Sequence, residues 1–219
     1  MPALKRLSRL VVAFAGALAV GVACAATFTD EDLLHAVDID NAGGVERAIA
    51  NGVDPNVVDA KGQPALTLAL QGQSMKAAKV LLDAPGIRLD AQNKVGETPL
   101  MLAALKGESD AVAALVARGA SVSKDGWSPL HYAATGGKAE IVKLLIAKGA
   151  PLEARSPNQT TPVMMAARYG SEDAVDALIA AGADLNAKND QGMDAAAFAA
   201  SAGRDRLAAR LKLAADAKR

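Results

Sequence analysis

One stretch of this chain repeats another. Six segments recur at a spacing of about 33 residues; three read GETPLMLAA from Gly96, GWSPLHYAA from Gly126 and QTTPVMMAA from Gln159. A unit this short cannot bury an apolar face by itself, so it must stack on a neighbour. Length alone, at 219 residues, would suggest one or two domains. Repetition overrides that expectation and predicts one continuous all-α solenoid. Its product is an elongated surface with no obvious buried catalytic pocket.

Each unit reads as a turn, a helix, a second helix and a loop back. Thr98-Pro99, Ser128-Pro129 and Thr161-Pro162 mark the start of a helix. Thr or Ser stands at the N-cap, and Pro takes the first helical position, where its missing N–H costs nothing. The first helix is small-faced: Leu102-Ala103-Ala104, Tyr132-Ala133-Ala134, Met165-Ala166-Ala167. Apolar residues make up 51% of the chain and aromatics only 3%, so alanine, leucine and valine must fill the space between closely spaced helices. Glycine breaks the chain at Gly107, Gly137 and Gly170. A second helix follows, with Ile141, Val142, Leu144, Leu145 and Ile146 on a broad apolar face. It ends at Lys148-Gly149, a basic last turn followed by a left-handed cap glycine, and that glycine recurs at Gly52, Gly86, Gly119 and Gly182.

The combination of TPLxxAA, a glycine, and a second helix ending in Gly-Ala before an Asn-Ala type loop resembles the ankyrin repeat. The segment GADLNAKNDQG from Gly182 to Gly192 is similar to that family's consensus. The resemblance runs from about Asp30 to the C-terminus and implies about six units, including two caps. It also implies that the connection between units is a β-hairpin finger. The interval from cap glycine to the next turn position is ten residues at Gly52–Gly62, Gly86–Gly96, Gly149–Gln159 and Gly182–Gly192, but seven at Gly119–Gly126. The finger at 119–126 is therefore expected to be shortened by three residues.

The terminal units depart from the pattern as caps should. The first lacks the TPL motif, and Asp30-Glu31-Asp32 reads as the acidic first turn of a helix. The last has Ala195 in place of Pro. Its second helix carries Arg204, Asp205, Arg206, Arg210 and Lys212 outward as a solvated face, with Leu207 and Leu211 inward.

The N-terminus is a different object. Lys5, Arg6 and Arg9 form a basic region, Leu10 to Val22 is an uncharged apolar run of 13 residues, and Ala23-Cys24-Ala25 offers small residues for cleavage. This pattern predicts a signal peptide over residues 1–25 and an ankyrin-repeat domain over 26–219. Thirteen residues are short for a membrane span, which needs about 20. The segment holds three of the 24 Lys+Arg and none of the 24 Asp+Glu, so the mature chain carries 21 basic against 24 acidic residues. It also holds the only cysteine, leaving a mature chain suited to an oxidising compartment. Lipidation of Cys24 is the alternative, although Gly21 fits a lipoprotein signal poorly at the third position before it.

The chemistry of catalysis is missing from the sequence. His35 and His131 are 96 residues apart, and no zinc-site spacing, nucleophile elbow or phosphate-binding loop appears. The whole-chain net charge of zero implies no bulk attraction to nucleic acid. The resemblance places His131 at the His of TPLH, where it ties adjacent turns together. It implies no enzyme activity, no cofactor and no metal, and a protein partner held on the concave and finger face. Carried over residue by residue, that face includes Lys94, Val95 and Glu97 beside one turn, Leu105 on a first helix, Trp127 beside the short connection, and Arg168 and Tyr169 on a later helix. Trp, Tyr and Arg are favoured at binding hot spots, which singles out Trp127, Arg168 and Tyr169. Tyr132 and Met165 read as core.

The expected function is a protein-interaction module in a bacterial periplasm, monomeric on its own. Accessory to a periplasmic enzyme such as a catalase is the leading role. An immunity protein neutralising a periplasm-acting toxin, for example a lipase effector, is the alternative. A membrane-attached lipoprotein scaffold anchored through Cys24 is the third.

Overall fold

A computed structural model describes residues 27–217. The segment read as a signal peptide, with Cys24, lies outside the described residues. Among the described residues the chain forms six helix pairs: α1 (Asp30–Asp38) with α2 (Ala42–Ala50), α3 (Ala65–Gly72) with α4 (Met75–Asp83), α5 (Pro99–Lys106) with α6 (Ser109–Ala117), α7 (Pro129–Gly136) with α8 (Ala139–Ala147), α9 (Pro162–Tyr169) with α10 (Glu172–Ala180), and α11 (Ala195–Ser201) with α12 (Asp205–Asp216). The odd-numbered helices stack into an inner row, and helices α2 to α10 of the even set stack behind it.

The core follows the alanine and leucine pattern. Leu66, Ala69 and Leu70 on α3, Leu100, Ala103 and Ala104 on α5, and Leu130, Ala133 and Ala134 on α7 are all buried. Leu81, Leu115, Leu145 and Leu178 fill the same role on the outer row. Leu207 and Leu211 of α12 point inward as expected. Thr29 caps α1, whose first turn carries Asp30, Glu31 and Asp32. Asp194 caps α11, its side chain accepting from the Ala197 N–H at 2.9 Å.

The expected β-hairpin fingers do not form. Among the described residues the only β pairing is a single bridge between Val58 and Pro64. Four connections instead close as tight turns. Asp59, Asn93, Ser156 and Asn189 each donate their backbone N–H to the carbonyl four residues on, at Gln63, Glu97, Thr160 and Met193. The Asp59, Asn93 and Asn189 side chains then each accept two further N–H groups of the same turn. A ladder needs the N–H two residues beyond the turn, as at Ala65, which donates to the Val57 carbonyl at 2.9 Å; Pro99 and Pro162 hold that position in two other units and have no N–H. The Thr98 and Thr161 N–H groups point to the sulfurs of Met101 and Met164 at 3.4 Å, and the Ser128 N–H donates to His131 Nδ1 at 3.2 Å. Pro64, at the cap position of α3, has no N–H to offer the helix in this way. The connection at 119–126 keeps left-handed glycines at both ends, with φ 91° at Gly119 and 75° at Gly126. It lacks the cross-turn backbone bond that closes the other four.

Pro64 has a consequence inside α3. Thr67 on α3 occupies the position of Met101, His131 and Met164, and it is fully buried. With no N–H on Pro64 to meet it, the Thr67 hydroxyl has no hydrogen-bond partner. Leaving a buried hydroxyl unpaired costs about 1–3 kcal/mol. Thr67→Val is therefore expected to stabilise the fold by about 1 kcal/mol, read as a higher denaturant midpoint at unchanged slope; a lower midpoint would contradict it.

The end of α9 is built unlike its neighbours. Helices α5 and α7 end in left-handed glycines, whereas Gly170 is extended, with φ −80° and ψ −179°. Its carbonyls are met instead by Arg204, which donates to the oxygens of Ala166, Ala167 and Gly170 at 3.2, 2.9 and 2.9 Å. Arg204 is thus a cap for a helix of the preceding unit, not part of a solvated face. Arg210 also reaches back, to Asp176 at 2.8 Å and Glu172 at 3.5 Å on α10.

Candidate protein-binding site

The turn at 93–97 and the inner helices α5, α7 and α9 enclose a surface hollow of about 260 Å³. It is lined by Glu97, Leu105, Trp127, His131, Tyr132, Thr135 and Met165. Each element delivers its residue by a local device. The Asn93 carboxamide accepts the Glu97 N–H at 2.9 Å, which sets that side chain at the end of the turn. Trp127 immediately precedes Ser128, the N-cap of α7, and Tyr132 and Thr135 follow His131 by one and four residues on that helix.

His131 fixes the floor. It is fully buried. Its Nδ1 accepts from the Ser128 backbone and its Nε2 lies 2.9 Å from the Thr160 carbonyl, so Nε2–H is the donor. The role implied by the TPLH resemblance, tying adjacent turns, is thus met by geometry. Burial holds the His131 pKa below the ordinary imidazole value, against a smaller opposing effect of the Thr160 bond. Trp127 stacks edge-on to this ring, with centroids 5.2 Å apart and planes at 75°.

Glu97 forms one wall. Its Oε1 accepts from the Tyr132 hydroxyl at 2.9 Å and its Oε2 from the Asn93 amide at 2.8 Å. Burial, then the bond and the charge of Glu97, push the Tyr132 phenol far above its ordinary value, so it stays a donor.

Of the residues singled out from the sequence, Glu97, Leu105 and Trp127 come together at this hollow. Val95 stands 78% exposed at the tip of the same 93–97 turn, and the Lys94 stem lies across Gly62 of the preceding turn. Arg168 and Tyr169 sit apart, at the end of α9. There the guanidinium lies 5.2 Å from the Tyr169 ring centroid and donates to Ser201 at 2.9 Å. Tyr132 and Met165, read from sequence as core, are half-buried and line the hollow. A tyrosine where the other units have Leu102 and Met165 was the available signal, because a buried ring with a hydroxyl needs a polar partner nearby. Other concavities lie on the outer row, about 510 Å³ between α4 and α6 and about 550 Å³ between α2 and α4. Among the described residues no cluster of His, Cys, Asp and Glu could hold a metal, and no helix is long and apolar enough to cross a membrane.

Comparison with solved structures returns the same architecture. One chain in the structure of a predatory endopeptidase from Bdellovibrio bacteriovorus in complex with an immunity protein is 26% identical, with a TM-score of 0.70 over 83% of this chain and 98% of that one. The ankyrin repeat domain of Bcl-3, a member of the IkappaB family, is 28% identical with a TM-score of 0.67, over 83% of this chain and 81% of that one. An ankyrin repeat domain from Acinetobacter baumannii, 23% identical with a TM-score of 0.72 over 85% and 98%, bears on the fold alone. No curated protein matches the sequence. The family model for ankyrin repeats matches residues 33–124 and 120–189. Those matches span most of the chain and fall on the stacked helix pairs: the chain belongs to the ankyrin-repeat family, whose members are non-catalytic binding scaffolds.

Proposed function

We propose that this chain is an immunity protein that neutralises a toxic hydrolase by binding it along the turns and the inner-helix edge. The likeness to a chain from an endopeptidase–immunity protein complex, extending over 98% of that chain, carries this reading. The preformed hollow supports it, since a rigid face limits the ordering cost of binding. Lys94, Val95, Glu97, Leu105 and Trp127 form the proposed contact, with Arg168 and Tyr169 as a second patch farther along the array. The chain acts in the periplasm after removal of residues 1–25, as a cysteine-free mature protein.

The test is an activity titration. The partner is captured from the native periplasm and identified, and its hydrolytic activity is then measured against increasing mature chain. Activity should fall to background near one equivalent. A rise in activity would instead make the chain an accessory, and no change would end the immunity reading. Within a confirmed complex, Trp127→Ala should weaken binding by about 2 kcal/mol, or roughly 30-fold. Unchanged affinity with an intact fold would remove Trp127 from the contact.

A further inference from the structure

We infer that the hollow between Trp127 and Tyr132 receives a basic side chain, arginine or lysine, from the bound partner, with Glu97 as its counter-ion. The inference rests on the reading of this face as the partner-binding face. The size of the hollow, about 260 Å³, is below that of ligand pockets, so it suits a single long side chain.

Its chemistry selects the charge. Glu97 is half-buried, and among the described residues no lysine or arginine nitrogen lies within 4 Å of its carboxylate. Each carboxylate oxygen accepts one hydrogen bond, from Tyr132 or Asn93, and a carboxylate has about four acceptor sites. Two sites therefore remain, one on each oxygen, the arrangement a guanidinium fork satisfies. The cations near the rim form no ion pair with Glu97, although the Lys124 ammonium lies close to Gly96. The Lys94 stem crosses Gly62, and the Lys124 ammonium reaches the Asp125 carbonyl at 3.4 Å. His131 beneath the Trp127 ring is kept neutral by burial, so it adds no competing positive charge. Trp127 and Tyr132 supply aromatic surface for a cation, and Leu105 and Met165 supply apolar surface for its stem.

Trp127 is the only tryptophan of the chain, so its fluorescence reports on this hollow directly. The mature protein would be titrated with N-acetyl-argininamide, N-acetyl-lysinamide, the neutral isostere N-acetyl-citrullinamide and N-acetyl-leucinamide. The two cationic amides should give a saturable, salt-sensitive change, about tenfold or more stronger than citrullinamide. Glu97→Gln, which keeps an acceptor for the Tyr132 hydroxyl and gives up the Asn93 bond, should abolish that preference in a chain that still unfolds cooperatively within a few degrees of the parent. Equal response to the neutral amides, no response to any amide, or an undiminished preference in Glu97→Gln overturns the inference. A chain that inhibits its partner but fails this test keeps its function and loses the cation slot. A chain that passes it but inhibits nothing keeps the slot and loses the immunity role.

Discussion

Replacing Gly170 by alanine is expected to lower the melting temperature by on the order of 10 °C, from a loss of about 3 kcal/mol. A Cβ at Gly170 would stand 2.3 Å from the Ala134 carbonyl oxygen and 3.0 Å from the Ala166 Cα and oxygen. All three are backbone atoms, so no rotamer change relieves the clash. The dihedrals of Gly170 are ordinary extended backbone, so the effect is purely one of space. To make room, the end of α9 must lift away from α7, and the three carbonyls gathered by Arg204 must separate from it. Because a repeat array is stabilised by nearest-neighbour contacts, the loss should be local. Amide protection should fall first in α11 and α12 and remain near the parent level in α1 to α4. Gly72→Ala is the control: Gly72 has no positive φ, and the nearest atom to an added Cβ is the Ser74 hydroxyl at 3.6 Å. It should be neutral or slightly stabilising. A Gly170→Ala protein melting within a degree or two of its parent would show that the inner row is looser than described.

His131→Ala is the second large effect, about 3–4 kcal/mol. It empties a fully buried site and strips partners from the Ser128 N–H and the Thr160 carbonyl together. His131→Met should cost only about 1–2 kcal/mol. Met101 and Met164 already hold this position in neighbouring units, where sulfur accepts the cap N–H at 3.4 Å. What the Met variant cannot replace is the donor to Thr160.

The same pair separates the pH response. Burial depresses the folded-state pKa of His131 below its ordinary value of 6.5. As pH falls through 6.5 the unfolded chain takes up a proton that the folded site refuses, so stability is full above that value and declines below it. The decline continues down to the folded-state pKa. Asp32 and Asp54 have pKa values lowered by hydrogen bonds from Thr29 and Asn56, so their contributions are lost only in more acidic solution. Urea midpoints between pH 7 and 5 should slope in the parent and flatten in His131→Met. Equal slopes would place the proton uptake elsewhere.

The hollow illustrates how far the sequence carried. Glu97, Leu105 and Trp127 were legible as edge residues because their place within a unit follows from the repeat register. Tyr132 was not, because its hydroxyl meets Glu97 across 35 residues of chain, a pairing made by stacking and invisible in either unit alone. The connections failed for a related reason. The register of their glycines was correct, even at Gln159, which takes φ 60° where the others place glycine. Whether two arms pair as strands depends on which N–H groups face the opposite arm, and Pro99 and Pro162 have none where Ala65 donates to Val57.

By itself the sequence determined the unit: two short helices, the caps that start them, the glycines that end them, and a small-residue face that demands a neighbour. Those are local consequences of period, capping and backbone freedom, and they repeat because the residues repeat. Only the tertiary structure decided what one unit does to the next. Arg204 became the cap of α9, Gly170 the point of closest approach, and Glu97 the unpaired carboxylate of an aromatic hollow. Each depends on offsets between stacked units, which are set by packing across the interface and are written in no single repeat.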